Sequence, residues 1–212
     1  MALPAPTIYR YESSYQTVGN PTSVCFKVER DTEILSVSID TPRIYIRSME
    51  EVDFEPACRL LGDKDVMEKI NNGMTMTAEK VRESFTSYAK QRQERNPYDR
   101  LAVFTRAGEF LGIVALTPHL PGVAQLSGAG FKEFWNQGYG KEAAWAIVKE
   151  FAKASVQEGY MVKGVKLHTI IATARPDNPG SWALLERLGM QFEEEKELPE
   201  YNARRRCYSM KV

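Results

Sequence analysis

Several large classes of protein are excluded by what this sequence has little of. No stretch approaches the roughly 18 consecutive apolar residues that a membrane-spanning helix requires. The opening MALPAPTIYRYESS has neither the basic segment nor the apolar segment of a secretory signal. Charge of one sign is missing too: 28 Lys and Arg face 28 Asp and Glu, for a formal net charge of zero. Nucleic-acid binders carry a basic excess, so no nucleic-acid partner is expected, and no membrane partner either. Cysteine is scarce. Cys25, Cys58 and Cys207 are odd in number and far apart, which fits neither a disulfide framework nor a zinc-ligand spacing. No metal is therefore expected, and a reducing, cytoplasmic setting is the simplest reading.

What is present suits a globular protein of ordinary domain size. The 212 residues are 43% hydrophobic and 26% charged, with enough apolar mass for a core. Residues 1–40 differ from the rest. ALPAPTIYRYESSYQTVGNP is turn-rich and reads as a segment draped over the body, and TSVCFKVERDTEILSVSID reads as a hairpin around Arg30-Asp31-Thr32. We treat 1–40 as an N-terminal extension and 41–212 as the main domain. In the latter, TPRIYIRS alternates as a strand. EEVDFEPACRLLGDKDVMEKI gives one or two short helices broken near Gly62. Thr77 caps a helix whose apolar stripe is Val81, Phe85 and Tyr88. RLAVFTRAGEFLGIVALTP is a hairpin around Ala107-Gly108. VAQLSGAGF is a third strand, in which Gly128 and Gly130 leave the backbone open to close approach.

FWNQGYGKEAAWAIVKEF comes next. Ala143, Ala144, Ile147, Val148 and Phe151 recur at helical spacing, with Glu142, Lys149, Glu150 and Lys153 on the opposite side and a stop near Gly159. KLHTIIATA is a strand, and DNPGSWALLERLGM a helix with Asn178 as N-cap, Pro179 in its first turn and Gly189 at its end. Two strand-like runs around Pro199–Asn202 close a mixed α/β chain. Trp135, Trp145 and Trp182 read as packing anchors, His119 and His168 as structural or solvated. Arg204–Arg206 reads as a solvated face, and Glu193–Glu195 likewise, or as a greeting for a cationic substrate.

The glycine loop decides the functional reading. QGYGKEA is no P-loop, because Glu142 stands where a magnesium-binding Ser or Thr is needed. Gly138, Gly140 and Ala143 match a dinucleotide-binding G-x-G-x-x-A, but KEFWNQ separates them from the strand. The acid expected about 20 residues on, at the end of the next strand, is also missing. A third reading fits: a strand–loop–helix whose loop amides face a pyrophosphate. Glycines at 138 and 140 let an anion approach the backbone, and Lys141 adds a charge.

FWNQGYGKEAAWAI followed by ARPDNPGSWALLERLGM resembles the GNAT superfamily of acyl-CoA N-acyltransferases. The resemblance is greatest to the ribosomal-protein N-terminal acetyltransferases. That branch carries TpRLxLR, yWGxGYaxEA and NxxSxxxLexlGF. Here Thr41–Arg47, Phe134–Ala143 and Asn178–Met190 stand in the same order. The resemblance implies a mostly antiparallel sheet with a central splayed strand pair and flanking helices. It implies direct transfer of acetyl from acetyl-CoA to an amine acceptor, in a monomer or homodimer. Gly130 and Phe131 would pair with the pantetheine arm, with a backbone N–H there stabilising the oxyanion. Asn136, Gln137, Gly138, Tyr139, Gly140 and Lys141 would hold the pyrophosphate. Asn178 would touch the pantetheine, and Ser181 would deliver a proton to the leaving sulfur.

Three departures stand beside this. Trp135 replaces the Gln or Arg common in the superfamily, Leu185 stands where many members keep an acid tyrosine, and AQLSGAGF offers no carboxylate base. The last bears on the acceptor. At pH 7, deprotonating an α-amine of pKa about 7.8 costs about 1 kcal/mol, against about 4.6 for lysine at about 10.4. A protein or peptide N-terminus is therefore expected. A small-molecule amine or polyamine, or a silent acyl-CoA-binding module, is the alternative.

Overall fold

The computed structural model describes residues 8–12, 22–29, 31–70 and 72–212. Ten strands form one sheet in the order β1-β2-β3-β4-β5-β6-β7-β10-β12-β11. They are β1 (Ile8–Glu12), β2 (Ser23–Val28), β3 (Leu35–Asp40), β4 (Ile44–Ser48), β5 (Arg100–Thr105), β6 (Phe110–Leu120), β7 (Val123–Gly130), β10 (Thr169–Ala174), β11 (Gln191–Leu198) and β12 (Ala203–Lys211). A separate small hairpin, β8 (Met161–Val162) with β9 (Val165–Lys166), was not anticipated by the periodicity. All pairings in the sheet are antiparallel except β7 with β10.

Helices α1 (Phe54–Gly62), α2 (Lys64–Met67) and α3 (Ala78–Gln93) lie on one face; α4 (Tyr139–Trp145), α5 (Ala152–Gln157) and α6 (Pro179–Arg187) lie on the other. The caps explain the boundaries. Thr77 accepts from the Lys80 amide, Asp63 from those of Asp65 and Val66, and Asn178 from that of Ser181. Val81, Phe85 and Tyr88 are buried against Ala57 and Leu60 of α1.

Three expectations are corrected. Within the stretch read as draped, Ile8–Glu12 is a strand paired antiparallel with β2; residues 1–7 and 13–21 lie outside the described residues, as does Arg30 of the hairpin turn. β2 and β3 themselves pair as expected and contribute Val24, Phe26, Leu35, Val37 and Ile39 to the core. Phe26 packs on Phe151 and Tyr160 at ring separations of 5.8 and 5.0 Å.

Glu150, read as solvated, is 3% exposed. Between α4 and α5 the helix runs through a π-helical segment, Ala146–Phe151, whose extra residue per turn rotates the residues beyond it. Spacing alone sets Glu150 beside the buried stripe, three residues from Ile147 and seven from Ala143; its charge was what placed it with solvent. Arg205 is likewise 3% exposed rather than solvated. It alternates with Tyr208, which faces α6, and so lies on the α1–α3 face of the sheet. Arg206 is held among the rings of Trp182, Phe192 and Tyr208, and of the three only Arg204 reads as exposed.

Candidate active site

The sheet opens at its one parallel pairing. β7 and β10 pair over Val123–Gln125 and Thr169–Ile171, then part, although β7 continues to Gly130 and β10 to Ala174. β7 stays with β6 beyond that point: the Phe131 amide donates to the Leu111 carbonyl at 3.0 Å. In an antiparallel ladder, alternate residues turn their amides and carbonyls to opposite sides. Residues 127, 129 and 131 turn theirs to β6, so Leu126, Gly128 and Gly130 turn theirs into the opening. Of the two residues expected to meet pantetheine, Gly130 therefore faces the opening. The Phe131 amide is engaged with β6 and does not offer an oxyanion contact. Trp135 pins this end of β7, its indole Nε1 donating to the Gly130 carbonyl at 2.7 Å.

Each parted strand leads through a loop into a helix N-terminus. After β7 the loop takes two left-handed steps, Asn136 at φ 58° and Gly138 at φ 84°. Such steps turn successive amides toward a common side, a concavity suited to an anion. Gly138 suits this step. Its φ disfavours other residues, and a Cβ there would come within 3.0 Å of Arg43 Nη2. Gly140 has open space around it and Lys141 is exposed. Gln137 donates through Nε2 to the Glu133 carbonyl at 2.6 Å. Tyr139 is half-buried, edge-on to Phe134 and beneath the Arg43 guanidinium.

Arg43 and Glu142, unassigned from sequence, hold this loop. Glu142 accepts from Arg43 Nε (2.6 Å), the Arg43 amide (2.9 Å) and the Thr41 hydroxyl (2.6 Å). Arg43 Nη1 donates in turn to the Gln137 carbonyl at 2.9 Å. Charge-assisted bonds of this kind are about twice as strong as neutral ones. The TPR and GKEA motifs are thus two halves of one brace. The sole hint in the sequence was that Glu142 stands in the first turn of a helix, where a carboxylate is favoured anyway.

After β10 the turn is built of side chains. Arg175 and Lys69 both bind Asp177, at 3.0 and 2.9 Å. Hydrogen bonds from Arg175 and then Lys69 hold the Asp177 carboxyl down to about 2. Asn178 Oδ1 accepts from the Ser181 amide at 3.2 Å, and half-buried Ser181 sits in the first turn of α6. Leu185, where a tyrosine acid might have stood, is core. A tyrosine reaches the branch point from elsewhere: Tyr201, after β11, accepts from Gln125 Nε2 at 2.7 Å and lies under Arg205 at 4.6 Å. His119 and His168 are both exposed.

A parted parallel pair with two helix N-termini at its open end is the arrangement the resemblance implies. The acetyltransferase (GNAT) domain matches residues 43–191, well over half of the chain. The chain belongs to the GNAT acetyltransferase family. This GNAT acetyltransferase is 26% identical over 155 residues to YnaD, an uncharacterized N-acetyltransferase of Bacillus subtilis, covering 73% of this chain and 83% of that one. Its fold is similar to that of the ribosomal-protein-S5-alanine acetyltransferase of Vibrio fischeri (TM-score 0.65, 15% identity, 82% and 96% of the two chains). It is also similar to that of the spermidine N-acetyltransferase of Vibrio cholerae, solved with CoA and spermine (TM-score 0.63, 15% identity, 81% and 96%). The structural likenesses establish the fold and the family match an acetyltransferase; by their names, one structural neighbour acts on a ribosomal protein and the other on spermidine. No described helix is long and apolar enough to cross a membrane.

Proposed function

We propose that this GNAT acetyltransferase moves an acetyl group from acetyl-CoA to a primary amine, an N-terminal α-amine of a protein or peptide, within a ternary complex. The observation that carries the reading is the braced loop beside the opening between β7 and β10. The left-handed steps at Asn136 and Gly138 would turn loop amides to a common side, and Arg43 and Glu142 hold the loop in that shape. A pyrophosphate suits it, with the cations of Arg43 and Lys141 nearby. The pantetheine arm would lie along the amide and carbonyl of Gly128 and the amide of Gly130, the Gly130 carbonyl being held by Trp135, with Asn178 on its other side. The amine nitrogen attacks the thioester carbonyl; a C–N bond forms, the C–S bond breaks, and the sulfur takes a proton by way of Ser181. A gap-facing amide of β7 stabilises the oxyanion.

The preference for an α-amine comes from the bases at hand. Asp177, held near pKa 2 between Arg175 and Lys69, is far too weak a base to strip a lysine ammonium. An α-amine needs only about 1 kcal/mol to lose its proton to water at neutral pH. The test is acetyl transfer to peptide pairs that differ in offering an α-amine or only a lysine side chain, monitored across pH. Turnover of the α-amine peptide should lead and level off near pH 8. Equal or better turnover of the lysine peptide overturns the reading.

A further inference from the structure

On the face opposite α4, residues 65–70 reach across the mouth of the opening, from one lip to the other. Asp65 binds Lys132, just past β7, at 2.7 Å, and Lys69 binds Asp177, just past β10, at 2.9 Å. The backbone at Gly73 then passes beside Arg175, with a Cβ there 4.0 Å from Nη1. Gln125, Tyr201 and Arg205 line the same face at the point where the strands part. An acceptor approaching the thioester from the side not taken by the pyrophosphate loop meets this surface.

Its charge is what matters. Asp177 sits among Arg175, Lys69 and Arg205, all three close enough to feel its charge or bond to it. Glu68 is drawn toward Lys69 at 3.5 Å, and Asp65 is bound to Lys132. Asp177, Glu68 and Asp65 are each paired with a Lys, while Arg59 adds a further cation over the Phe131 ring. The acidic run of β11 is no substitute. Glu193 accepts from Ser209, Glu194 from Lys196, and Glu195 pairs with Arg204. A polycation seeking Asp177 would have to displace Arg175 and Lys69 from it and would face their charges in doing so.

Resting on the acetyltransferase reading above, we propose that the acceptor is an amine with a carboxylate close to it, and that polyamines are excluded. Arg175 and Lys69 receive that carboxylate, exchanging part of their hold on Asp177 for it, and the amine is thereby set at the mouth of the opening. The carboxylate has two possible sources, an acidic side chain near a peptide N-terminus or the α-carboxylate of a free amino acid.

The experiment compares acetyl transfer by the full chain to matched acceptors: Ser-Glu-Glu, Ser-Gln-Gln and Ser-Lys-Lys peptides of equal length, free serine, and spermidine. The acidic peptide or free serine should exceed the lysine peptide and spermidine in kcat/KM by about tenfold or more; which of the two leads identifies the source of the carboxylate. The preference should shrink as salt rises. Lys69→Glu and Arg175→Gln should each cut the acidic-over-basic ratio several-fold, with the KM for acetyl-CoA little moved. The salt series on the unmodified protein tests the same point should either variant not fold. Charge-blind turnover, or spermidine as the better acceptor, overturns the proposal while leaving the acetyltransferase reading intact. Binding of acetyl-CoA with no turnover of any carboxylate-bearing acceptor also overturns it. Failure to bind acetyl-CoA strikes the parent reading instead.

Discussion

The two turns at the open ends of β7 and β10 share a topology and differ in construction. The first is made of backbone: left-handed Asn136 and Gly138, held from below by Arg43 and Glu142. The second is made of side chains: Arg175, Asp177 and Lys69, with Asn178 closing the helix end. A backbone concavity, once braced, presents the same amides to every ligand, which suits the invariant part of a cosubstrate. Charged side chains select among partners, which suits an acceptor. The division of labour predicts that damage to the first turn appears in acetyl-CoA affinity and damage to the second in turnover and acceptor choice.

A change outside both turns gives the largest effect and serves as a control on folding. Burial pushes the Asp99 carboxyl from 3.8 up to about 6, against the Arg100 amide and the charges of Arg100 and Arg92. A raised carboxyl pKa favours the protonated native state. Native stability should therefore fall as pH rises from about 4 through 6, by about 3 kcal/mol. Asp99→Asn should match the unmodified protein in urea unfolding near pH 4 and exceed it by about that amount at pH 8. It should leave acetyl-CoA affinity unchanged at both.

Next is Gly138→Val. A left-handed conformation costs a side chain about 1–2 kcal/mol, and this one also crowds Arg43. Calorimetric titration should show acetyl-CoA affinity weakened by about tenfold to thirtyfold. Arg43→Ala should weaken it by about tenfold with kcat within a factor of about three; Arg43→Lys should fall between, because an ammonium lacks the fork that meets both Glu142 and Gln137. If either change lowers kcat and spares affinity, the contrast between the turns breaks. The smallest effect belongs to Ser181→Ala, which should reduce turnover about fivefold to tenfold with affinity nearly intact. Unchanged turnover would leave Ser181 a first-turn residue and nothing more.

Local rules made much of this legible in the sequence. Thr77 and Asn178 announced their caps, Gly128 and Gly130 a bare strand, and Gly138 a glycine turn into a helix, because each depends on neighbours a few residues away. What stayed hidden depends on the sheet. Arg43 meets Glu142 across 99 positions, and only the placement of β4 near α4 joins them. Arg205 and Tyr201 matter because β12 lies beside β10, an adjacency no periodicity reports. Glu150 was misassigned because its charge outweighed its spacing: it stands three residues from Ile147 and seven from Ala143, beside the buried stripe.

Whether the braced loop and the opening beside it form one acetyl-CoA site is decided by calorimetric titration of the unmodified protein and of Arg43→Ala with acetyl-CoA. One equivalent bound at micromolar concentration, weakened about tenfold by the substitution, is the predicted result. No heat of binding at millimolar acetyl-CoA, or equal affinity in a folded Arg43→Ala protein, would contradict it.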